Sequence, residues 1–85
     1  MEIILISEEN HGLIGVAETR AAAINYLIKD SWITKKTELL DEYECTRTLE
    51  EMNISLDDVR EMSISKFNEI FEGIFYLGVD CLHGM

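Results

Sequence analysis

The sequence predicts an α+β fold: a small antiparallel sheet, built from an N-terminal hairpin and a C-terminal strand, packed against several short helices. Three observations carry that expectation. Apolar runs of β character open the chain, a period-two alternation closes it, and apolar residues three and four positions apart fill the interval. Eighty-five residues suit one domain spanning 1–85. An apolar fraction of 47% is ordinary for a folded core and too high for an acidic disordered tail.

The elements follow in order. Residues 3–6 (Ile-Ile-Leu-Ile) form a short β-type run that stops at Ser7-Glu8-Glu9. Residues 13–17 (Leu-Ile-Gly-Val-Ala) form a second one, and the polar loop between them contains Asn10 and Gly12, a hairpin signal. Apolar side chains on both faces of the first strand predict a central position in the sheet, partly covered on each side. Thr19 is the expected N-cap of a helix whose stripe is Ala21, Ile24, Leu27 and Ile28, with Trp32 one turn further and Asp30-Ser31 as its end. Residues 34–45 fit either a helical face (Leu39, Leu40, Tyr43) or an exposed edge strand (Thr34, Thr37, Tyr43), and read best as an irregular or weakly extended excursion. Two short helices are expected next. Thr48-Leu49-Glu50-Glu51 matches a capping box, and Ser55-Leu56-Asp57-Asp58 is a version with Asp. Ser65 is the expected cap of a last helix, with Phe67, Ile70, Phe71 and Ile74 inward and Gly73 near its end. In the final strand Phe75, Leu77, Val79 and Cys81 alternate with Tyr76, Gly78 and Asp80, the first set facing inward.

Charge is the unusual global property. Seventeen acids against seven bases give −10. Nine of those acids and only two bases (Arg47, Arg60) fall between positions 38 and 61, a local net of −7. Such a field repels nucleic acid and anionic membrane and attracts basic surfaces, so no direct nucleic-acid or membrane partner is expected. No apolar run reaches the roughly 20 residues that span a bilayer. Two cysteines without a disulfide framework fit a reducing cytoplasm.

Catalytic and metal signals are thin. Asn10-His11-Gly12 is the most site-like loop, but these residue types also suit positive φ in a turn, and no nucleophile or acid partner is placed beside them by sequence. Cys81, His83, Cys45 and His11 are ligand types for zinc at spacings no zinc finger uses. Calcium-loop, phosphate-loop, nucleophile-elbow and dinucleotide motifs are all missing. No cofactor and no enzymatic activity are expected; an enzyme would need His11 to meet Cys81, His83 or a carboxylate in a cleft. The acidic middle segment reads either as a solvated face or as an anionic surface complementary to a basic groove. In the second reading the partner-binding residues are Glu38, Asp41, Glu42, Glu44, Glu50, Glu51, Asp57 and Asp58, with Tyr43 as an aromatic anchor.

Three stretches carry a resemblance. Residues 4–17 (ILISEENHGLIGVA), 22–28 (AAINYLI) and 32–34 (WIT) resemble small accessory proteins of phages and prophages of Gram-positive bacteria, with an echo at residues 67–77. Several acidic proteins of that kind are anti-CRISPR or other anti-defence proteins that bind a host nuclease or its partners. The resemblance therefore implies an inhibitor acting in the bacterial cytoplasm on a basic host protein, such as a CRISPR-Cas nuclease, with carboxylates standing where phosphates would. The alternative is a self-associating structural or regulatory phage protein, a homodimer formed by strand pairing across a two-fold axis.

Overall fold

The structure, a computed structural model, describes residues 2–81, with Cys81 described by its backbone alone. His83 and the side chain of Cys81, two of the zinc-type ligands weighed above, lie outside the described residues.

The chain runs β1 (Glu2–Glu8), β2 (Gly12–Ala17), α1 (Arg20–Lys29), β3 (Glu38–Leu40), β4 (Thr46–Thr48), α2 (Leu56–Arg60), α3 (Ile64–Ile70) and β5 (Phe75–Cys81). Strands β2, β1 and β5 form an antiparallel sheet in that order, so β1 is central, as its two apolar faces predict. Gly12 supplies the positive φ of the hairpin turn, a conformation His11 does not adopt. The β1–β2 register shifts between Ile6 and Ser7, leaving Ile14 as the extra residue of a β-bulge. The Tyr26 hydroxyl donates to the Ile14 carbonyl at 3.2 Å and ties the bulge to α1.

Thr19 caps α1 by accepting from the Ala22 amide at 3.1 Å, and Ser31, at φ 63°, ends it. The buried stripe of α1 is Ala23, Ile24 and Leu27, and Ala21 is exposed. The expected stripe is therefore out at its start, where Ala23, two positions after Ala21, takes the inward place. Residues 34–45 follow the irregular or weakly extended reading: within them Glu38–Leu40 alone form a strand, β3, which pairs with β4 as a two-stranded ribbon joined by the turn at residues 41–45. The Thr48 capping box forms both reciprocal bonds, at 3.0 and 3.1 Å, but caps a single turn and no helix. Asn53 at φ 59° closes that turn, with the Ile54 amide bonding back to Leu49, whose side chain is drawn fully into the core. Ser55 and Asp58 make a complete capping box on α2. α3 begins two residues earlier than expected. Ser63 is its cap, and Ser65 lies inside the helix, because only a cap at 63 leaves Ile64 partly buried at the first helical position.

One core unites these pieces. Ile4 and Ile6 of β1 and Phe75 and Leu77 of β5 meet Ile24 and Leu27 of α1, Val59 of α2, and Phe67 and Phe71 of α3. Phe67 and Phe71 stack at 4.5 Å, and Phe71 meets Phe75 edge-on at 6.0 Å. Ile33, Leu39 and Leu49 anchor the ribbon and the Thr48 turn to the same cluster. Arg20 fastens α1 to the end of α2 by donating to the Arg60 and Met62 carbonyls at 2.8 and 2.6 Å.

Among the described residues the helices pack on one face. Ile3 and Leu5, on the other face of β1, stand outside this core but are half-buried, so the partial cover expected on that side is slight and comes from no described helix. On that face Val16 lies opposite Leu5 and Asp80 opposite Ile3. Val79 likewise shares the inward face with Leu77 but lies beyond the last helix and is exposed.

Candidate functional site

The acidic residues singled out by sequence divide by what their side chains touch. Glu38, Glu42 and Glu44 are exposed and have no hydrogen-bond or ion-pair partner among the described residues. Tyr43 stands 77% exposed at the tip of the ribbon, free to act as an anchor. Asp41 is different. Its Oδ1 accepts from the Tyr43 and Cys45 amides at 2.8 and 2.9 Å, and its Oδ2 lies 3.1 Å from Arg47 Nε. The Cys45 amide, followed by the Tyr43 amide and the Arg47 guanidinium, holds its carboxyl below the usual range. Asp41 shapes the turn that presents Glu42, Tyr43 and Glu44, and the expectation of a freely solvated side chain is corrected for it.

Glu51 and Asp58 are also occupied, as the acceptors of the two capping boxes. The Thr48 amide lowers the first carboxyl and the Ser55 amide the second. Asp57 pairs with Arg60 at 2.6 Å, and Glu50 lies 3.6 Å from Lys35, both at the surface. Glu50, Asp57 and Asp58 border a shallow depression beside Lys35 at the start of α2, apart from the ribbon. The nine residues are therefore two groups, with the ribbon group the more strongly anionic.

A deeper feature joins the ribbon to α3. Between β3 and the end of α3 runs a groove of about 690 Å³ lined by Glu9, Glu38, Asp41, Glu69 and Glu72, with no Lys or Arg. Leu39, Leu40, Ile70 and Ile74 give it an apolar floor and lip. Four of its carboxylates (Glu9, Glu38, Glu69, Glu72) are exposed and have no partner among the described residues. Four carboxylates without a described partner around one cavity, beside an Asp41 already paired with Arg47, make a focused negative potential. Among the described residues no three His, Cys, Asp or Glu side chains converge as a metal-ligand set. The groove's charges are thus spread along an elongated surface.

Sequence reasoning missed Glu9, Glu69 and Glu72 because they lie outside the segment of high local charge. One signal was available. Glu69 and Glu72 occupy the polar side of the Phe67–Phe71 stripe, and α3 leads directly into β5, which pairs with the strand that ends beside Glu9. Helix periodicity together with a β1–β5 pairing would have placed all three at one corner.

At the hairpin loop, Glu8 Oε1 takes the Asn10 amide at 2.6 Å, the His11 amide at 2.9 Å and His11 Nδ1 at 2.8 Å. The His11 side chain and then these amides keep the Glu8 carboxyl below its ordinary value. His11 also meets the Trp32 ring edge-on at 5.4 Å, and Trp32 meets Phe75 at 6.5 Å. The contacts of His11 thus close the loop over the sheet end. No helix among the described residues is long and apolar enough to cross a membrane. Comparison with protein-family models, curated proteins and solved structures finds no match to this chain.

Proposed function

We propose that this chain is a non-enzymatic binding module that receives a basic segment of a partner protein in the groove between β3 and α3. The observation that carries the reading is the lining of that groove: among the described residues, four carboxylates without a partner and no lining base, around an apolar floor. Lys or Arg side chains of a partner would lie against Glu9, Glu38, Glu69 and Glu72, with their aliphatic stems on Ile70, Ile74 and Leu40. The ribbon tip adds Glu42 and Glu44 beside the exposed Tyr43 ring, an aromatic anchor flanked by charge. The partner class that fits is a nucleic-acid-binding protein whose basic groove normally holds phosphates, and occupation of that groove would make the chain an inhibitor. The phage anti-defence reading, with a host nuclease as target, is the form of this proposal to which the sequence resemblance leads.

Affinity capture from a Gram-positive bacterial lysate, run in parallel with the native chain and with Glu38→Gln/Glu69→Gln/Glu72→Gln, tests it. The native chain recovers a basic nucleic-acid-binding protein whose nucleic-acid binding it blocks, and the variant recovers far less. Recovery of no such protein, or equal recovery by both, removes the groove as the binding site.

A further inference from the structure

The face of the sheet opposite the core has a second use. Ile3 and Leu5 of β1, Leu13 and Val16 of β2, and Tyr76 and Gly78 of β5 share that face, as the register requires: Leu5 lies opposite Val16 and Gly78, and Ser7 opposite Leu13 and Tyr76. Leu13, Val16 and Tyr76 are 60%, 57% and 59% exposed. The helices pack on the other side, against Ile4 and Ile6. Asp80 stands at one corner of the face, and at the other end Glu9 borders a depression with Ser7 and Tyr76, on a chain of net charge −10. Of the groove's carboxylates, Glu38, Asp41, Glu69 and Glu72 belong to other parts of the chain, and Glu9 reaches the end of the face.

Strand-edge pairing does not explain this surface, because both edges of the sheet are blunted. On β5 the Asn68 side chain takes the outward backbone of Leu77 twice, donating to its carbonyl at 2.9 Å and accepting from its amide at 2.8 Å. On β2 the bulge at Ile14 interrupts the ladder and its carbonyl is taken by Tyr26. Bulges and covered edges are the devices by which sheets avoid edge-to-edge association. What remains open is a face, and faces pack on faces.

We infer that this open face is the interface of a two-fold symmetric homodimer formed by sheet-on-sheet packing. A basic partner finds a carboxylate only toward either end and no row of them here, whereas a second copy offers an equally apolar and identically twisted surface, which an isologous pair requires. The size sets the strength. Seven residues of β1 at about 3.3 Å each and three strands about 4.8 Å apart give a flat footprint of roughly 320 Å² per copy. Two such footprints come to roughly 640 Å², short of the roughly 1,000 Å² total that stable interfaces clear, so the pair is weak and concentration-dependent. Like charge opposes the association, so added salt strengthens it by screening, the reverse of what salt does to the acidic groove.

Sedimentation velocity of the full chain from about 10 μM to about 1 mM, in about 0.05 M and about 0.5 M NaCl, tests the inference. The expected result is a monomer–dimer equilibrium that moves toward dimer with concentration and with salt. Val16→Lys/Tyr76→Lys shifts it back to monomer by at least about tenfold in Kd, although two lysines bring the net charge from −10 to −8 and would favour association if charge alone governed it. Val16→Thr/Tyr76→Thr, which keeps strand propensity, does the same more weakly and guards against a folding defect in the lysine pair. Leu40→Lys, an equally exposed leucine off this face, leaves the equilibrium where it was. A monomer at every concentration and both salts overturns the inference, and so does a dimer that ignores both pairs of substitutions.

Discussion

The triple variant Glu38→Gln/Glu69→Gln/Glu72→Gln isolates the groove from everything else the chain does. Each of the three carboxylates is exposed and without a partner among the described residues, and glutamine keeps its shape. Surface changes of this kind alter stability by no more than about 0.5 kcal/mol each, so the melting temperature holds. Binding should not. An exposed charge pair is worth about 0.2–1 kcal/mol, so three lost pairs cost about 0.6–3 kcal/mol, a factor of roughly 3 to 150 in Kd. Fluorescence anisotropy with the captured partner, titrated across salt, measures this. The loss is largest at low salt and shrinks toward about 1 M, where the screening length falls to about 3 Å. The control Glu18→Gln/Asp30→Asn/Glu61→Gln makes the same change in net charge at exposed positions outside the groove. If the control weakens binding as much as the groove variant, only total charge matters and the groove argument is refuted.

Three further outcomes follow from the contacts. Glu38→Lys/Glu42→Lys/Glu44→Lys leaves thermal unfolding unchanged while Asp41→Asn lowers it and speeds amide exchange at Tyr43 and Cys45; equal melting temperatures would remove the role assigned to Asp41 in shaping the turn. Phe71→Ala, at a fully buried position stacked on Phe67, costs about 3–5 kcal/mol in chemical denaturation, a large part of the roughly 4–13 kcal/mol expected of a chain this long, and a loss below about 1 kcal/mol would contradict the packing described. The carboxyls of Glu8, Asp41, Glu51 and Asp58 lie below their ordinary values in the folded state. Their stabilising contribution is therefore present above the ordinary range of about 4 and is lost as pH falls through the lower folded values, so Asp41→Asn/Asp58→Asn flattens the acid limb of a melting-temperature profile, and a variant whose limb is as steep as the parent's would exclude these two groups.

Much of the fold is legible in the residues. Strand β1, the Gly12 turn, the Thr19 cap and the Ser55–Asp58 box follow from local chemistry that tertiary context leaves alone. The misreadings share a cause. Thr48-Leu49-Glu50-Glu51 makes the hydrogen bonds of a capping box whether or not a helix continues, and the decision falls three to five residues later, at Asn53, where φ turns positive. Ser63 and Ser65 are equally good caps by residue type. The choice between them rests on Ile64 and Phe67, whose burial depends on where β5 and α1 lie. Val79 has the alternation of an inward residue, but the helical layer ends before it does.

The candidate site is legible only in part, because charge density along a sequence differs from charge density in space. The run from 38 to 61 contains carboxylates that serve as caps and turn acceptors, already committed to backbone amides, beside others that are free. Asp41 and Glu42 are neighbours in sequence; one shapes the turn and the other is presented by it. The groove takes Glu38 from the run and adds Glu9, Glu69 and Glu72 from segments close to charge balance, which only the β1–β5 pairing and the path of α3 bring together. The open sheet face is hidden for the converse reason. Ile3 and Leu5 look like core residues in a strand that is apolar on both faces, and such a pattern distinguishes a second helical layer from a second copy of the chain only when the layers are counted. With α1, α2 and α3 all packed on the Ile4–Ile6 side, no described helix remains to cover the other. The apolar excess of β1 thus points outward from the molecule, to the face proposed for self-association, where added salt is expected to strengthen contact, whereas salt is expected to weaken the binding proposed for the groove.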